Sequence, residues 1–279
     1  MGKDGMKLAV ALAAENAPPD AFVVWRGFEQ SIPKAAHLGY HGVELALKAA
    51  DEVDPDKLHA WLEAANLKVS AITTGQVFAG LGLHFTHPDP GGRERTFNVF
   101  RNLIALAKDF GGIVNVGRAR GFVAEGQSRR ETERLFVDMA RRLCDAAGPV
   151  GVEIVIEPVN RYEINFINTL DEAAAVLAKV RRDNIGLMPD TFHMNIEEAE
   201  MGAALARHGR AVRYVHLADS NRLAPGQGHV DFDDVFDGLR QGGFDGWACI
   251  EILPRPDPDT AARQAAETVL PMIERYNRG

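Results

Sequence analysis

Cysteine is scarce: Cys144 and Cys249 are the only two in 279 residues, and they share no CxxC spacing. A disulfide-stapled scaffold or a thiolate zinc site cannot be built from such a pair. Both read as small buried apolar side chains, and a reducing cytoplasm suits them best. Long apolar runs are missing as well. The longest near the N-terminus, Leu8 to Ala14, falls far short of the roughly 20 residues that cross a bilayer, so no membrane partner is expected. Lys3 and Lys7 lie before it as in a weak signal peptide, but the run reads as a first strand. Runs of basic residues are absent too. With 39 acidic against 31 basic residues and a formal net charge of −8, the chain has no surface suited to tracking a phosphate backbone, and no nucleic-acid partner is expected. There is no short-period repeat and no low-complexity segment.

What is present is a composition of 46% hydrophobic and 25% charged residues, enough for a large core. Short apolar, β-branched runs alternate eight times with stretches of helical period. The predicted strands are 7–13, 42–47, 68–73, 113–117, 152–157, 185–190, 212–217 and 247–253. Asp54-Pro55 opens one helix, Thr169 with Glu172 forms a capping box, and Asp231 caps another. Gly39, Gly111, Gly148 and Gly243 stand just before strands, where helix C-termini favour glycine. Runs such as VEIVIE and YVHLA are almost continuously apolar, as in a parallel sheet covered on both faces. The pattern predicts a single (β/α)₈ TIM barrel over residues 1–279, with a doubly wound open sheet as the competing architecture.

In such a barrel the chemistry sits where strands end. The last four predicted strands end in, or carry near their tips, Glu157, Asp190, His216 and Glu251. Singly, a strand-end acid is often a helix cap or an ion-pair partner, and His216 can be a hydrogen-bonded core histidine. Jointly, four such groups converging on one mouth would repel or pay a burial cost unless a cation neutralised them. Three carboxylates and one imidazole make a hard, oxygen-rich site suited to Mn²⁺, Mg²⁺ or Co²⁺. Two coordination positions would stay open for the carbonyl and neighbouring hydroxyl of a substrate, favouring an enediolate. Glu157 and Glu251 are placed to serve as base and acid on opposite faces of one carbon. The following loops add Glu163 in EPVNRYE, His193 in DTFHMN and Arg222 in HLADSNR, each within reach of substrate oxygens.

These residues, Glu157 in EPVNRYE, Asp190 in DTFHMN, His216 in HLADSNR and Glu251 in CIEI, resemble the ketose 3-epimerases of the D-tagatose and D-psicose group within the xylose-isomerase-like barrels. The likeness is strongest from Val152 to Leu253, and the separations of 33, 26 and 35 residues between positions 157, 190, 216 and 251 match that family's ligand spacing. The resemblance implies a Mn²⁺-type site on those four residues, with Glu157 and Glu251 also the acid/base pair. It further implies that Glu163, His193 and Arg222 contact the O1–O3 region of a sugar, that the reaction is epimerisation at C3 through a cis-enediolate, and that the protein is a homodimer or homotetramer.

The N-terminal half matches only in its alternation of strands and helices. It places Asn16, Trp25 and Phe28 after the first strand, a Gly75–Gly92 loop with His84 and His87 after the third, and GRARG after the fourth. Arg118 and Arg120 are unusual beside a neutral sugar and fit a carboxylate or phosphate. His84 and His87 read as loop residues, and His229 as a residue ordering its own loop. Three other functions compete: an aldose–ketose or keto-inositol-type isomerase, needing one essential carboxylate; an endonuclease-IV-like nuclease, needing more histidines and a basic face; and a non-enzymatic sugar-binding or metal-storage barrel, which has no need of both carboxylates and open coordination positions.

Overall fold

The computed structural model describes residues 5–18 and 21–279; Lys3 lies outside them. Strand β1 (Lys7–Ala13) sorts its apolar side chains by size. Ala9, Ala11 and Ala13 pack into one cluster, and Leu8, Val10 and Leu12 into another. Alternate residues of a strand leave opposite faces, so the alanines line an interior while the larger residues meet surrounding helices. The interior cluster also draws Ala71, Val155, Tyr214 and Cys249 from four other strands, as a sheet closed on itself requires.

After β1 come the two-residue β2 (Trp25–Arg26), α1 (Phe28–His37), β3 (Gly42–Ala46), α2 (Pro55–Ala65), β4 (Lys68–Thr73), α3 (Gly75–Leu81) and α4 (Pro90–Ala107). The chain continues through β5 (Ile113–Val116), α5 (Arg129–Ala147), β6 (Glu153–Ile156), α6 (Leu170–Val180), β7 (Ile185–Leu187), α7 (Thr191–Glu197) and α8 (Met201–His208). It finishes with β8 (Tyr214–Leu217), α9 (Phe232–Gly242), β9 (Trp247–Ile250) and α10 (Pro258–Arg278). Parallel pairing runs β7-β6-β5-β4-β3-β1-β9-β8, with β2 attached to β1. First and last strands therefore pair, which an open sheet with terminal edges does not do. The remaining seam, between β7 and β8, holds two parallel bridges. Its bonds run from Arg213 N–H to the Leu187 carbonyl at 3.0 Å and from His216 N–H to the Pro189 carbonyl at 2.9 Å. The eight strands form the expected TIM barrel, closed at a seam that Asp190 and His216 themselves bridge.

Several local expectations need correction. Five strands stop short of their predicted ends, most clearly β7, which ends at Leu187 rather than Asp190, and β8 starts two residues late, at Tyr214. Pro189 has no N–H to offer the ladder, and Asp190 has already become the cap of α7. The presumed Gly75–Gly92 loop contains the helix α3 and the start of α4. Thr169 accepts from Glu172 N–H, but the Glu172 carboxylate reaches Asn168 N–H at 2.7 Å, one residue before the cap. Gly39, Gly111 and Gly243 adopt positive φ as expected, whereas Gly148 is helical and Gly151, at φ 73°, makes that turn instead. Asp54 and Asp231 cap as predicted. Among the described residues no helix is long and apolar enough to cross a membrane.

Candidate active site

Glu157 and Glu251 each stand one residue beyond a strand. Their N–H groups still donate to the Val116 and Leu217 carbonyls, at 3.3 and 3.4 Å, so the ladder holds both side chains at the barrel mouth. Asp190 divides its two oxygens. Oδ1 caps α7 by accepting Phe192 N–H at 2.8 Å, and Oδ2 accepts from Arg222 Nη1 at 2.7 Å. The plain reading of a strand-end acid as a helix cap is thus correct for one oxygen only. His216 lies within β8 with Nδ1 3.3 Å from Glu251, 3.7 Å from Glu157 and 3.7 Å from Asp190. One donor atom from each of the four residues falls within 4.8 Å of the others.

Charge and hydrogen bonding bear on whether these residues suit a cation. Three carboxylates face one guanidinium, that of Arg222, which leaves two negative charges in a buried cluster. Arg222, itself buried, bonds both Asp190 and Glu251 and lies between the rings of Phe22 and Phe192, at 4.7 and 4.9 Å. On the far side of the imidazole, His216 Nε2 is 2.7 Å from the buried Glu44 carboxylate. That acceptor places a proton on Nε2 and turns Nδ1 towards the cluster, where it has no hydrogen-bond partner among the described residues. An orphaned imidazole nitrogen among three carboxylates is the donor set a divalent cation takes, so the residues fit the expected metal. Without a cation, burial opposes the His216 charge, but Glu44 and Glu251 hold its pKa well above the usual histidine value. Burial likewise opposes ionisation of Asp190, yet Arg222 and His193 keep it below the carboxylate range. Cys249 approaches Glu44 and His216 from within the barrel, but burial pushes its thiol up and Nε2 is already engaged.

The loop residues fall into two groups. His193 is buried, and Asn160 Nδ2 donates to its Nδ1 at 2.8 Å. The Asn160 amide is oriented by Tyr162 N–H, which donates to its Oδ1, so His193 carries its proton on Nε2, 3.8 Å from Glu157 and 3.9 Å from Asp190. Burial lowers the His193 pKa to about 4, keeping the ring neutral at pH 7 as a hydrogen-bond donor. Glu163 accepts from Asn160 at 3.1 Å and lies 3.9 Å from His193 Nδ1. Arg118 faces Glu163 at 3.7 Å and lines a pocket with Glu251. Glu163, His193, Arg222 and Arg118 are therefore all gathered around the cluster.

Arg120 is not. It is fully buried and donates to the carbonyls of Gly117, Glu157, Phe166 and Ile167 at 2.7–3.0 Å, a brace for the β6 loop rather than an anion receptor. His84 is buried against Phe122 and Thr86, His87 bonds Asp89, and His229 bonds Ser220, so none of the three joins the ligand set. Trp25 donates to Asp259 at 2.7 Å, Phe28 is buried at the start of α1, and Asn16 is an exposed turn residue. Sequence reasoning missed Glu44, Asn160, Gln76 and Asn115, whose Nδ2 donates to Glu157 at 3.0 Å. For Glu44 and Asn115 the signal was a lone polar residue inside an apolar strand.

Residues 32–272 match the family model described as xylose isomerase-like TIM barrel. The ketose 3-epimerase of Arthrobacter globiformis is 44% identical over 105 residues, 38% of this chain and 36% of that protein, so this alignment spans about a third of the relative. The L-ribulose 3-epimerase of Methylomonas sp. (strain DH-1) is 33% identical over 77% of this chain and 74% of its own. The crystal structure of D-allulose 3-epimerase from Methylomonas sp. in complex with D-allulose superposes with a TM-score of 0.82 at 27% identity, over 96% of this chain and 97% of that one.

Proposed function

This chain belongs to the xylose isomerase-like TIM barrel family, and from that premise we propose that it is a metal-dependent sugar epimerase acting on the carbon beside a ketone. The observation that carries the reading is the cluster of Glu157, Asp190, His216 and Glu251, the first three buried, with the glutamates that follow strands β6 and β9 converging on one point. The names of the relatives, ketose 3-epimerase and L-ribulose 3-epimerase, support a ketose as substrate. Oxygen-rich donors favour Mn²⁺ over softer ions. When bound, such a cation supplies Lewis acidity to the substrate's carbonyl and the adjacent hydroxyl.

The chain's own residues do the rest. One glutamate takes the proton from the carbon beside the carbonyl, and the electron pair moves onto the carbonyl oxygen. The other returns a proton to the opposite face of the same carbon, and the carbonyl re-forms with inverted configuration. His193 donates from Nε2 to a substrate oxygen, Asn160 fixes that tautomer, and Glu163 and Arg222 hold neighbouring hydroxyls. Arg222 also balances part of the carboxylate charge, through its bonds to Asp190 and Glu251.

The test is a pair of variants, Glu157→Gln and Glu251→Gln, followed by NMR for inversion at C3 of ketoses. Loss of epimer in both, with a substrate analogue still bound, is expected. An aldose product in place of the epimer, or one dispensable glutamate, would favour the isomerase alternative.

A further inference from the structure

The four-residue cluster leaves one wall of the mouth unused. Beside Glu251 lies a pocket whose other walls include Phe22, Ala46, Gln76, Ala79 and Arg118. Gln76 is 95% buried in the sense of 5% residual exposure, and its amide has one orientation. Nε2 donates at 2.8 Å to the Ala46 carbonyl, which can only accept, so Oε1 is the free end of the amide and has no hydrogen-bond partner among the described residues. A buried acceptor in that state carries a desolvation cost until a donor meets it.

Arg118 shows the complementary feature. Among the described residues it is the only cation lining this pocket. Its side chain is 30% exposed, 3.7 Å from Glu163 and 5.9 Å from the Phe78 ring. Arg120, two residues on, spends its donors on four carbonyls, and Arg222 gives Nη1 and Nη2 to two carboxylates, keeping only the buried Nε without a partner among the described residues. Arg118 makes no side-chain hydrogen bond with any described residue, and the contact with Glu163 orients the guanidinium without engaging its N–H groups. A forked set of donors and an unmet acceptor thus share one pocket next to a proposed catalytic carboxylate.

We propose that this pocket takes the far end of the substrate and that this end is an α-hydroxycarboxylate, making the substrate a ketonic sugar acid. Arg118 donates to the carboxylate, whose planar geometry suits the guanidinium fork, and Gln76 Oε1 accepts the hydroxyl of the adjacent carbon. A neutral ketose would satisfy Gln76 and leave the Arg118 N–H groups without a hydrogen-bonded anion, Glu163 staying at 3.7 Å. The inference rests on the epimerase reading for the position of the ketone, beside Glu157 and Glu251.

The experiment is isothermal titration of the Mn²⁺-loaded protein with D-fructose, D-fructuronate and D-fructose 6-phosphate, alongside proton exchange at the carbon next to the ketone. D-Fructuronate is expected to bind about 10- to 100-fold more tightly than D-fructose, the scale of a charge-assisted hydrogen bond. Arg118→Gln should erase that preference and Arg118→Lys restore part of it, while Gln76→Leu weakens both sugars, with folding of each variant checked by thermal melting. Equal binding of acid and neutral sugar, or a preference that survives Arg118→Gln, overturns the proposal. So does tighter, Arg118-dependent binding of the phosphate ester, which would replace the carboxylate by a phosphate. Arg118-dependent binding of the acid with no proton exchange on any sugar would support the subsite and sink the epimerase reading instead.

Discussion

Replacing Glu44 by glutamine removes one charge from the barrel interior and almost no volume. The carboxylate is fully buried, with Oε2 2.7 Å from His216 Nε2 and Oε1 accepting from Thr73 Oγ1 at 3.1 Å. Glutamine can keep both contacts, its carbonyl oxygen facing Nε2 and its amide facing the threonine hydroxyl, so packing and tautomer survive. What is lost is the charged acceptor. A hydrogen bond to a charged group contributes about 1.5–3 kcal/mol and a neutral one about 1, so the imidazole loses roughly 0.5–2 kcal/mol of support for its role as a cation ligand. That corresponds to about a 2- to 30-fold weaker metal Kd, overlapping the lower part of the range of about 10- to 100-fold found when the partner of a ligating histidine is altered. The assay is competition for Mn²⁺ against a chelating dye, with the visible spectrum of the Co²⁺ form reporting ligand geometry and thermal melting reporting fold. A Glu44→Gln protein that binds Mn²⁺ as tightly as the wild type would refute the argument that Glu44 tunes His216.

Other outcomes follow from the same structure. Glu157→Gln and Glu251→Gln should each lower epimer formation at least about 10²–10⁴-fold, the usual value of one acid or base, as read by NMR time courses. Arg120→Met leaves the carbonyls of Glu157 and Phe166 without their donor, while those of Gly117 and Ile167 keep the N–H groups of residue 120 and Val159, and should cost at least about 2 kcal/mol; an unchanged urea midpoint would show that the brace is dispensable. Asp219 is buried and accepts N–H bonds from Ser220, Gly226 and Val230. Burial opposes its ionisation, but these backbone donors prevail and hold its pKa below 3.8. Its contribution to stability is therefore full above the unfolded value near 3.8 and is lost as pH falls through the lower folded value. Asp219→Asn should cost about 1.5–3 kcal/mol at pH 7, and denaturation at pH 7 and pH 3 should show that deficit shrinking in acid.

The barrel and its four central residues were legible for a physical reason. Parallel strands covered on both faces are continuous apolar runs, and acids that end such runs interrupt a strong pattern. The interior polar residues were harder to read. Glu44 in GVELA and Asn115 in IVNV look like flaws in apolar strands until the closed barrel turns them towards His216 and Glu157. Arg118 and Arg120 were indistinguishable in GRARG, because their different fates depend on a short 3₁₀ turn that aims one into a pocket and the other under the β6 loop. Glycines at 75, 80 and 82 masked the helix α3. Pro189 signalled the end of β7, and the strand reading overran it.

The central claim is that the buried carboxylate–imidazole cluster binds a divalent cation and exchanges a proton beside a ketone. The most direct test is deuterium incorporation from D₂O into a panel of ketoses, keto-sugar acids and ketose phosphates, followed by NMR with chelator-stripped protein before and after addition of Mn²⁺. Metal-dependent exchange at one carbon next to the carbonyl, with the epimer appearing alongside, is the predicted result. Exchange that persists unchanged in the stripped protein, or metal binding without exchange on any member of the panel, would contradict the account.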